Sequence, residues 1–137
     1  IASVGEGAGR LVTCTVQGAA SEEQAELMAK AVVRSPLVKC AIFGTDANWG
    51  RVLCAVGYSG AEFDPKDVEV KFLSQAGELK VCAGGQGVPF DEDLAKTVLS
   101  EPEVVILVTL TAGDAACSCW GCDLTYDYVK INGDYRS

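Results

Sequence analysis

Residues 104–110, VVILVTL, limit what this chain can fold into more than any other part of the sequence. The segment is the most apolar of the chain, and most of its residues are β-branched. A short, continuous apolar run of this composition is typical of a strand that is covered on both faces. We therefore predict a strand here, at the centre of a sheet and buried on both faces.

Strand and helix signals alternate before that segment. Residues 10–16, RLVTCTV, predict a strand that QGAA then ends. A helix is expected next, because Ser21 and Gln24 have the spacing of a capping box and apolar residues recur at helical intervals up to the Ser-Pro pair at 35–36. The short apolar segment VKCAIF, residues 38–43, predicts another strand.

The middle of the chain adds two helices and a hairpin. Asn48 is a good cap for a helix that ends at a following glycine. The segments VEVKFL and ELKVC flank a turn around residues 76–77, which predicts a β-hairpin. FDEDLAKTVLS, residues 90–100, has an acidic first turn that favours a helix. Together these elements predict an α+β (mixed α/β) fold, in which helices pack on a central mixed sheet.

Size and charge exclude several classes of protein. At 137 residues, without an internal repeat or a long linker, residues 1–137 are predicted to form a single domain. The net charge of -8 argues against nucleic acid as a partner, because such binding depends on basic side chains. We expect no membrane association, since no apolar run approaches the roughly 20 residues of a membrane helix.

Ile1 follows no initiator methionine, so we expect a processed or truncated piece.

The seven cysteines are the most ambiguous feature of the composition. Four of them lie in apolar segments, as small hydrophobic residues do, which suits free thiols in a reducing compartment. Cys117, Cys119 and Cys122 crowd together in CSCWGC, which allows a metal site. The chain has no histidine and no second cluster to complete four ligands, so we favour cysteines packed along a strand or turn.

Two motifs resemble ligand sites without requiring one. GEGAG, residues 5–9, precedes a strand and so lacks dinucleotide-binding geometry, but it holds Glu6 between two glycines. DANWGR is either a ligand site or a capped helix start in which Trp49 packs as an anchor and Arg51 pairs with Asp46. Without histidine, the commonest general base is missing, and the residues alone indicate no catalytic centre.

The end of the chain, YDYVKINGDYRS, is unusually aromatic for a terminus. Termini commonly fray unless they are tied down, so we predict a short helix at residues 126–131 with its tyrosines packed.

Two long stretches carry a family resemblance: residues 35–60, SPLVKCAIFGTDANWGRVLCAVGYSG, and residues 120–137, WGCDLTYDYVKINGDYRS. Both closely resemble the ornithine acetyltransferase family, also called glutamate N-acetyltransferase or the bifunctional ArgJ family. With GEGAGRLV and VPFDEDLA, the resemblance spans essentially the whole chain. It implies the C-terminal part of the family's β chain, with the C-terminal domain of the DmpA/ArgJ-like fold.

The resemblance also implies a mechanism. Family members resemble N-terminal-nucleophile enzymes, in which the precursor cuts itself before a threonine that becomes the nucleophile. N-acetylornithine acetylates that threonine, and glutamate then takes the acetyl group, in the cyclic arginine pathway. The additional use of acetyl-CoA stays open. The nucleophile and the oxyanion hole are expected in missing parts of the protein, so no catalytic residue is assigned in this chain.

Substrate-binding residues follow from the resemblance position by position. The family's glycine-flanked glutamate corresponds to Glu6, its terminal asparagine to Asn132, and its last residue, usually threonine, to Ser137. A carboxylate suits a substrate ammonium, while an amide and a hydroxyl suit an α-carboxylate or α-amine. The family's usual alanine is Gly133 here.

The implied partners are the α chain and the N-terminal part of the β chain of the same precursor, in a heterotetramer of two α and two β chains. The implied ligands are N-acetylornithine, ornithine and glutamate, with no cofactor and no metal. The implied location is the cytoplasm, or an organelle in a eukaryote. Two other functions remain open: a non-catalytic amino-acid-binding module, and a metal-binding interaction domain built on CSCWGC.

Overall fold

The computed structural model describes residues 11–122 and 130–132 of the chain, with side chains for 11–121. Four helices are described: α1 (Glu22–Arg34), α2 (Pro36–Phe43), α3 (Trp49–Gly57) and α4 (Glu92–Leu99). The strands are β1 (Leu11–Ala19), β2 (Glu69–Ser74), β3 (Gly77–Ala83), β4 (Gln86–Gly87), β5 (Glu103–Thr109), β6 (Ala115–Cys122) and β7 (Lys130–Asn132). A 3-10 turn at Pro65–Asp67 precedes β2.

The strands form one sheet in the order β4-β3-β2-β5-β1-β6-β7. β1 and β5 run parallel, and the other neighbouring strands pair antiparallel. α1 lies over β1 and β6, α4 lies over β2 and β3, and α2 and α3 pack on α1. The predicted mixed α+β class is confirmed.

The core lies between the helices and one face of the sheet. Along β5, Val104, Ile106 and Val108 are fully buried, whereas Val105 and Leu107 between them are half-buried. The prediction that this strand is central is confirmed. The prediction that it is buried on both faces is wrong for the described chain, because the helices cover only one face.

We call the other side the open face. Its side chains on the central strands are half-buried, although no described helix packs on them. Its central members are Thr13, Thr15, Val105, Leu107, Ser118 and Trp120.

The helix caps follow the sequence signals. The Ser21, Asn48 and Asp91 side chains accept hydrogen bonds from backbone N–H groups in the first turns of α1, α3 and α4. The second half of the predicted capping box does not form among the described residues: the Gln24 carbonyl oxygen accepts from the Glu62 backbone N–H at 2.8 Å instead.

The segment VKCAIF forms helix α2, so the predicted strand is wrong. The Ser35 side chain accepts a hydrogen bond from the Val38 N–H at 3.2 Å, and Pro36 occupies the first helical turn, where its missing N–H costs nothing. The Ser-Pro pair that ends α1 therefore also starts α2.

Two strand boundaries also differ from the prediction. β1 continues beyond Val16 to Ala19, because the register shifts between Gln17 and Ala19 and Gly18 adopts φ 80° there. Only glycine adopts this backbone conformation without strain. Lys130 and Ile131, predicted to be helical, lie in β7, where pairing with β6 satisfies their backbone groups. The rest of the predicted C-terminal helix lies outside the described residues.

Candidate functional site

The three predicted substrate-binding residues are described only in part. Glu6 and Ser137 lie outside the described residues. Asn132 is the last residue of β7, and its backbone pairs with Cys117 of β6. Cys117 in turn pairs with Val16 of β1, so Asn132 occupies the sheet row near the end of β1. The described structure thus places one member of the predicted site at a sheet edge.

The described chain begins at the opposite end of β1, at Leu11. The Leu11 N–H donates to the Pro102 carbonyl at 2.8 Å, which fixes the start of β1 beside the start of β5. Leu11 precedes Val16 by five residues, which is roughly 17 Å along a strand. Asn132 is the one predicted site residue with a described position, and the assignments of Glu6, Asn132 and Ser137 stay predictions.

At the end of the sheet toward which β7 runs, two hydrogen bonds that the sequence analysis missed join a turn to a loop. The Asp67 carboxylate accepts the Thr111 backbone N–H at 2.7 Å and the Thr111 hydroxyl at 2.6 Å. These bonds hold the pKa of Asp67 below its usual value. They join the turn before β2 to the loop after β5, across a sequence separation that no local motif reveals. We call this pair the Asp67–Thr111 tie.

The DANWGR motif forms a capped helix start. The Asn48 oxygen accepts from the Arg51 backbone N–H at 3.0 Å, and its amide nitrogen donates to Asp46 at 3.1 Å. The predicted pairing of Arg51 with Asp46 is wrong: the guanidinium donates to the Leu37 carbonyl at 2.9 Å and so joins α3 to α2.

Trp49 packs against the core as an anchor, which confirms that part of the prediction. Its indole lies against Gly87 of the edge strand β4, where an added Cβ would come within 2.5 Å of the ring. The motif thus fixes α3 against the sheet edge, and its polar groups are used in local bonds.

The thiols of Cys14, Cys117 and Cys119 lie together under the helices, fully buried. Cys14 and Cys119 are direct partners across β1 and β6. Burial, reinforced by the neighbouring thiols, raises the pKa of Cys119 to about 12 and also raises that of Cys14. Protonated thiols are poor metal ligands and nucleophiles.

The interpretation of packed strand cysteines is therefore confirmed for Cys117 and Cys119, while the Cys122 side chain lies outside the description. Within residues 11–121, no group of His, Cys, Asp and Glu side chains is arranged to hold a metal ion. Cys14, Cys40, Cys54, Cys82, Cys117 and Cys119 are free thiols.

A cavity of about 430 Å³ opens at the other end of the sheet, between the end of β2 and the start of β5. It includes two acidic side chains, Glu101 and Glu103, and the open-face residues Leu73 and Val105. Sequence reasoning missed it, because strands far apart in sequence form its walls. It is lined by Leu73, Ser74, Gln75, Glu101, Pro102, Glu103 and Val105.

Comparison with known proteins decides the family. The family model described as "ArgJ family" matches residues 1–137. The chain belongs to the ArgJ family. The resemblance noted in the sequence is thereby confirmed, over the whole chain.

Curated relatives support the same conclusion. The chain is 56% identical over 137 residues to the "Arginine biosynthesis bifunctional protein ArgJ" of Caldanaerobacter subterraneus, covering 100% of this chain and 34% of the relative. It is 48% identical to the "Glutamate N-acetyltransferase" of Methanopyrus kandleri, over 97% of this chain and 34% of the relative. This ArgJ-family chain thus spans about a third of the length of those relatives.

A solved structure has the same fold. The crystal structure of the arginine biosynthesis bifunctional protein ArgJ from Bacillus halodurans matches with a TM-score of 0.78 and 40% identity, over 90% of this chain and 56% of that one. A relative in Schizosaccharomyces pombe is named as mitochondrial. Among the described residues, no helix is both long and apolar enough to span a membrane.

Proposed function

We propose that this chain is part of a glutamate N-acetyltransferase that moves an acetyl group from N2-acetylornithine to glutamate. The observation that carries the proposal is the match of the ArgJ family model to every residue of the chain, together with relatives named glutamate N-acetyltransferase. Since the chain spans about a third of those relatives, we assign it a share of the site and not the complete reaction.

The proposed reaction has two acyl transfers. The hydroxyl of an N-terminal threonine on another part of the protein attacks the acetyl carbonyl of N-acetylornithine; the C–N bond breaks, and ornithine leaves with a proton on its amine. The α-amine of glutamate then attacks the acetyl-threonine ester, which releases N-acetylglutamate and restores the hydroxyl. A covalent intermediate divides one difficult transfer into two easier ones, and a terminal amine serves as base without histidine.

Four of the described threonines support placing the nucleophile elsewhere. The Thr15 hydroxyl pairs with that of Ser118 at 2.8 Å, and the Thr97 hydroxyl donates to the Asp93 carbonyl at 3.0 Å. The Thr111 hydroxyl donates to Asp67, and the Thr45 hydroxyl donates to the carbonyl of Gly44. None of these four hydroxyls lies beside a basic side chain in these bonds, as an activated nucleophile requires.

This chain's proposed role is substrate binding. The Glu6 carboxylate pairs with the side-chain ammonium of ornithine, which fixes the end of the substrate away from the acetyl group. The Asn132 amide and the Ser137 hydroxyl bond the α-carboxylate or the α-amine. The position of Asn132 at the end of β7 supports this role, because strand pairing holds its backbone in place.

The proposed partners are the α chain and the N-terminal part of the β chain, in an assembly of two α and two β chains. We place the assembly in the cytoplasm, or in an organelle of a eukaryote, as for the mitochondrial relative. The reaction needs no cofactor, since substrate and protein supply every reacting group.

A second activity is favoured by the word "bifunctional" in the names of several relatives. We propose acetyl-CoA as the second acetyl donor, acting on the same threonine and followed by the same transfer to glutamate. Asn132 and Ser137, which bond an α-carboxylate or α-amine, would act unchanged in the second half of that reaction.

The test combines this chain with the two-thirds of the Caldanaerobacter relative that it does not match, and measures acetyl transfer from N-acetylornithine to labelled glutamate. We expect activity in the mixture and none in either part alone. Glu6→Gln should raise the KM for N-acetylornithine at least tenfold, while Glu23→Gln, an exposed acid on α1, should not change it. Turnover by the isolated chain would contradict the proposal.

Calorimetry separates the alternative function. A non-catalytic binding module would bind ornithine as the isolated chain, whereas part of a shared pocket binds ornithine only in the mixture. Tight binding by the isolated chain, combined with an inactive mixture, would favour the module.

A further inference from the structure

The open face of the sheet has a composition unlike that of a solvent-exposed surface. At the row of Leu107, β5 presents an apolar side chain between Thr15 of β1 and Lys71 of β2. The next row toward the start of β5 presents Val105 beside Thr13. In an acidic chain, a sheet face exposed to water would be expected to carry charges on its central strands.

The charged side chains of this face lie at one side. Lys71 pairs with Glu78 at 3.5 Å, and Lys80 pairs with Glu69 at 3.6 Å, all on β2 and β3. The open-face positions of β1, β5 and β6 carry no charge among the described residues, except Glu103 at the start of β5. An uncharged area with a charged border is typical of a surface that another protein covers.

Four polar side chains of the uncharged area already bond one another. The Thr15 and Ser118 hydroxyls bond each other at 2.8 Å, and the Gln17 amide donates to the Thr109 hydroxyl at 3.3 Å. Removing such groups from water costs less than removing unpaired ones. The face can therefore be covered without leaving these polar groups unsatisfied.

The size of the area fits a specific interface. Three strands about 4.8 Å apart, with about seven residues each at roughly 3.3 Å, give an area on the order of 300 Å². A standard interface buries about 800 Å² on each partner, so the uncharged area is large enough to form the apolar centre of one, with the charged strands β2 and β3 at its border.

We propose that the open face is the docking surface for the remaining part of the ArgJ-family polypeptide. This occupant is favoured over a second copy of the chain because the chain spans only about a third of the relatives, and 56% of the matching crystallised chain. The inference rests on the proposed function for its partner, and it adds the surface through which the partner binds.

The docked arrangement covers both faces of β5. Val104, Ile106 and Val108 contact the helices of this chain, and Val105 and Leu107 contact the companion. The cavity between Glu101 and Glu103 opens at the border of the same face, so a companion seated there closes it. This accounts for the continuously apolar sequence of β5.

The test uses Leu107→Glu, mixed with the unmatched two-thirds of the Caldanaerobacter relative. In the isolated chain the new carboxylate lies opposite Lys71, so thermal stability should stay the same or rise. In the mixture a charge at the centre of an apolar interface should weaken binding at least tenfold, measured by calorimetry. Leu27→Glu, the same change on exposed α1, should bind like the wild type.

Val105→Lys is the second variant, with the opposite charge and with Glu103 nearby on the same face. Both variants should block binding, because an apolar contact is lost in each. Undiminished binding of either folded variant, or the absence of a complex with the wild-type chain, would overturn the inference. A wild-type complex that fails to transfer acetyl would refute the proposed function and leave the docking surface standing.

Discussion

The two faces of the sheet differ in what covers them, although β5 is apolar on both. On the helix side, Ile106 is fully buried beneath the helices of the same chain. On the open face, Leu107 is half-buried with no described helix above it. An apolar strand sequence therefore indicates that a face will be covered, but it does not indicate whether the cover comes from the same chain.

The largest expected difference between the faces is in core packing. Ile106→Ala leaves a cavity beneath the helices and should lower the free energy of unfolding by about 2–5 kcal/mol. Leu107→Ala leaves no enclosed cavity in the isolated chain and should cost less than about 1 kcal/mol. Urea unfolding of both variants measures the two losses in unfolding free energy. Equal losses would show that the open face is as well packed as the helix side.

A second variant tests how tightly the helix side covers the sheet edge. In Gly87→Ala, the new methyl group would meet the Trp49 indole, and we expect a cost of about 1–3 kcal/mol. Gly57→Ala is the control, because nothing lies within 4 Å of that position at the end of α3; it should be neutral or stabilising by up to about 1 kcal/mol. Thermal unfolding that ranks the two variants in the reverse order would contradict the described packing.

The buried thiols predict a loss of stability in alkali. The pKa of Cys14 and that of Cys119 are raised in the folded chain, so the stability due to their neutral forms is complete below the unfolded pKa. It is lost as the pH rises from there toward the folded pKa, by on the order of 1 kcal/mol per pH unit for each thiol.

This loss of stability is tested by measuring the free energy of unfolding between pH 7 and about pH 10. The range extends below and above the ordinary thiol pKa of about 8.5. The double variant Cys14→Ala and Cys119→Ala should lose much of the slope. The control, Cys40→Ala and Cys54→Ala, removes exposed thiols and should retain it. Equal slopes in the two double variants would contradict the prediction.

The smallest expected effect is at the Asp67–Thr111 tie, which lies at the end of the sheet. The pKa of Asp67 is lowered in the folded chain, so its stabilising effect is present above the unfolded pKa and is lost as the pH falls through the folded pKa. Asp67→Asn should reduce the acid dependence of stability, and Asp114→Asn, an exposed acid in the following loop, should not. Acid titration monitored by circular dichroism distinguishes them.

Local signals predicted much of the fold. The caps at Ser21, Asn48 and Asp91 depend on a side chain and backbone groups two or three residues away, so the sequence contains them completely. The hairpin of β2 and β3 is likewise local. The error at α2 arose because a short apolar run fits a strand or a buried helix equally well, and the Ser-Pro pair before it was interpreted only as a helix end.

Features that depend on distant residues were not predictable. Lys130 and Ile131 are extended because β6 offers them an edge, and the Asp67–Thr111 tie joins two loops. The Arg51 guanidinium donates to the Leu37 carbonyl on α2 and not to the carboxylate of the nearby Asp46. The residues of the candidate site, Glu6, Asn132 and Ser137, were predicted from the family resemblance. The described structure adds only the position of Asn132 in strand β7.

The most direct test of the account is whether the companion covers the open face. Trp120 is half-buried on that face, and Trp49 lies on the helix side, so Trp49→Phe leaves Trp120 as the single tryptophan of this chain, and any tryptophans of the companion are replaced by phenylalanine. Acrylamide quenching of its fluorescence is measured with and without the unmatched two-thirds of the Caldanaerobacter relative. We expect quenching to fall severalfold in the complex. Unchanged quenching in a complex that forms would contradict the account.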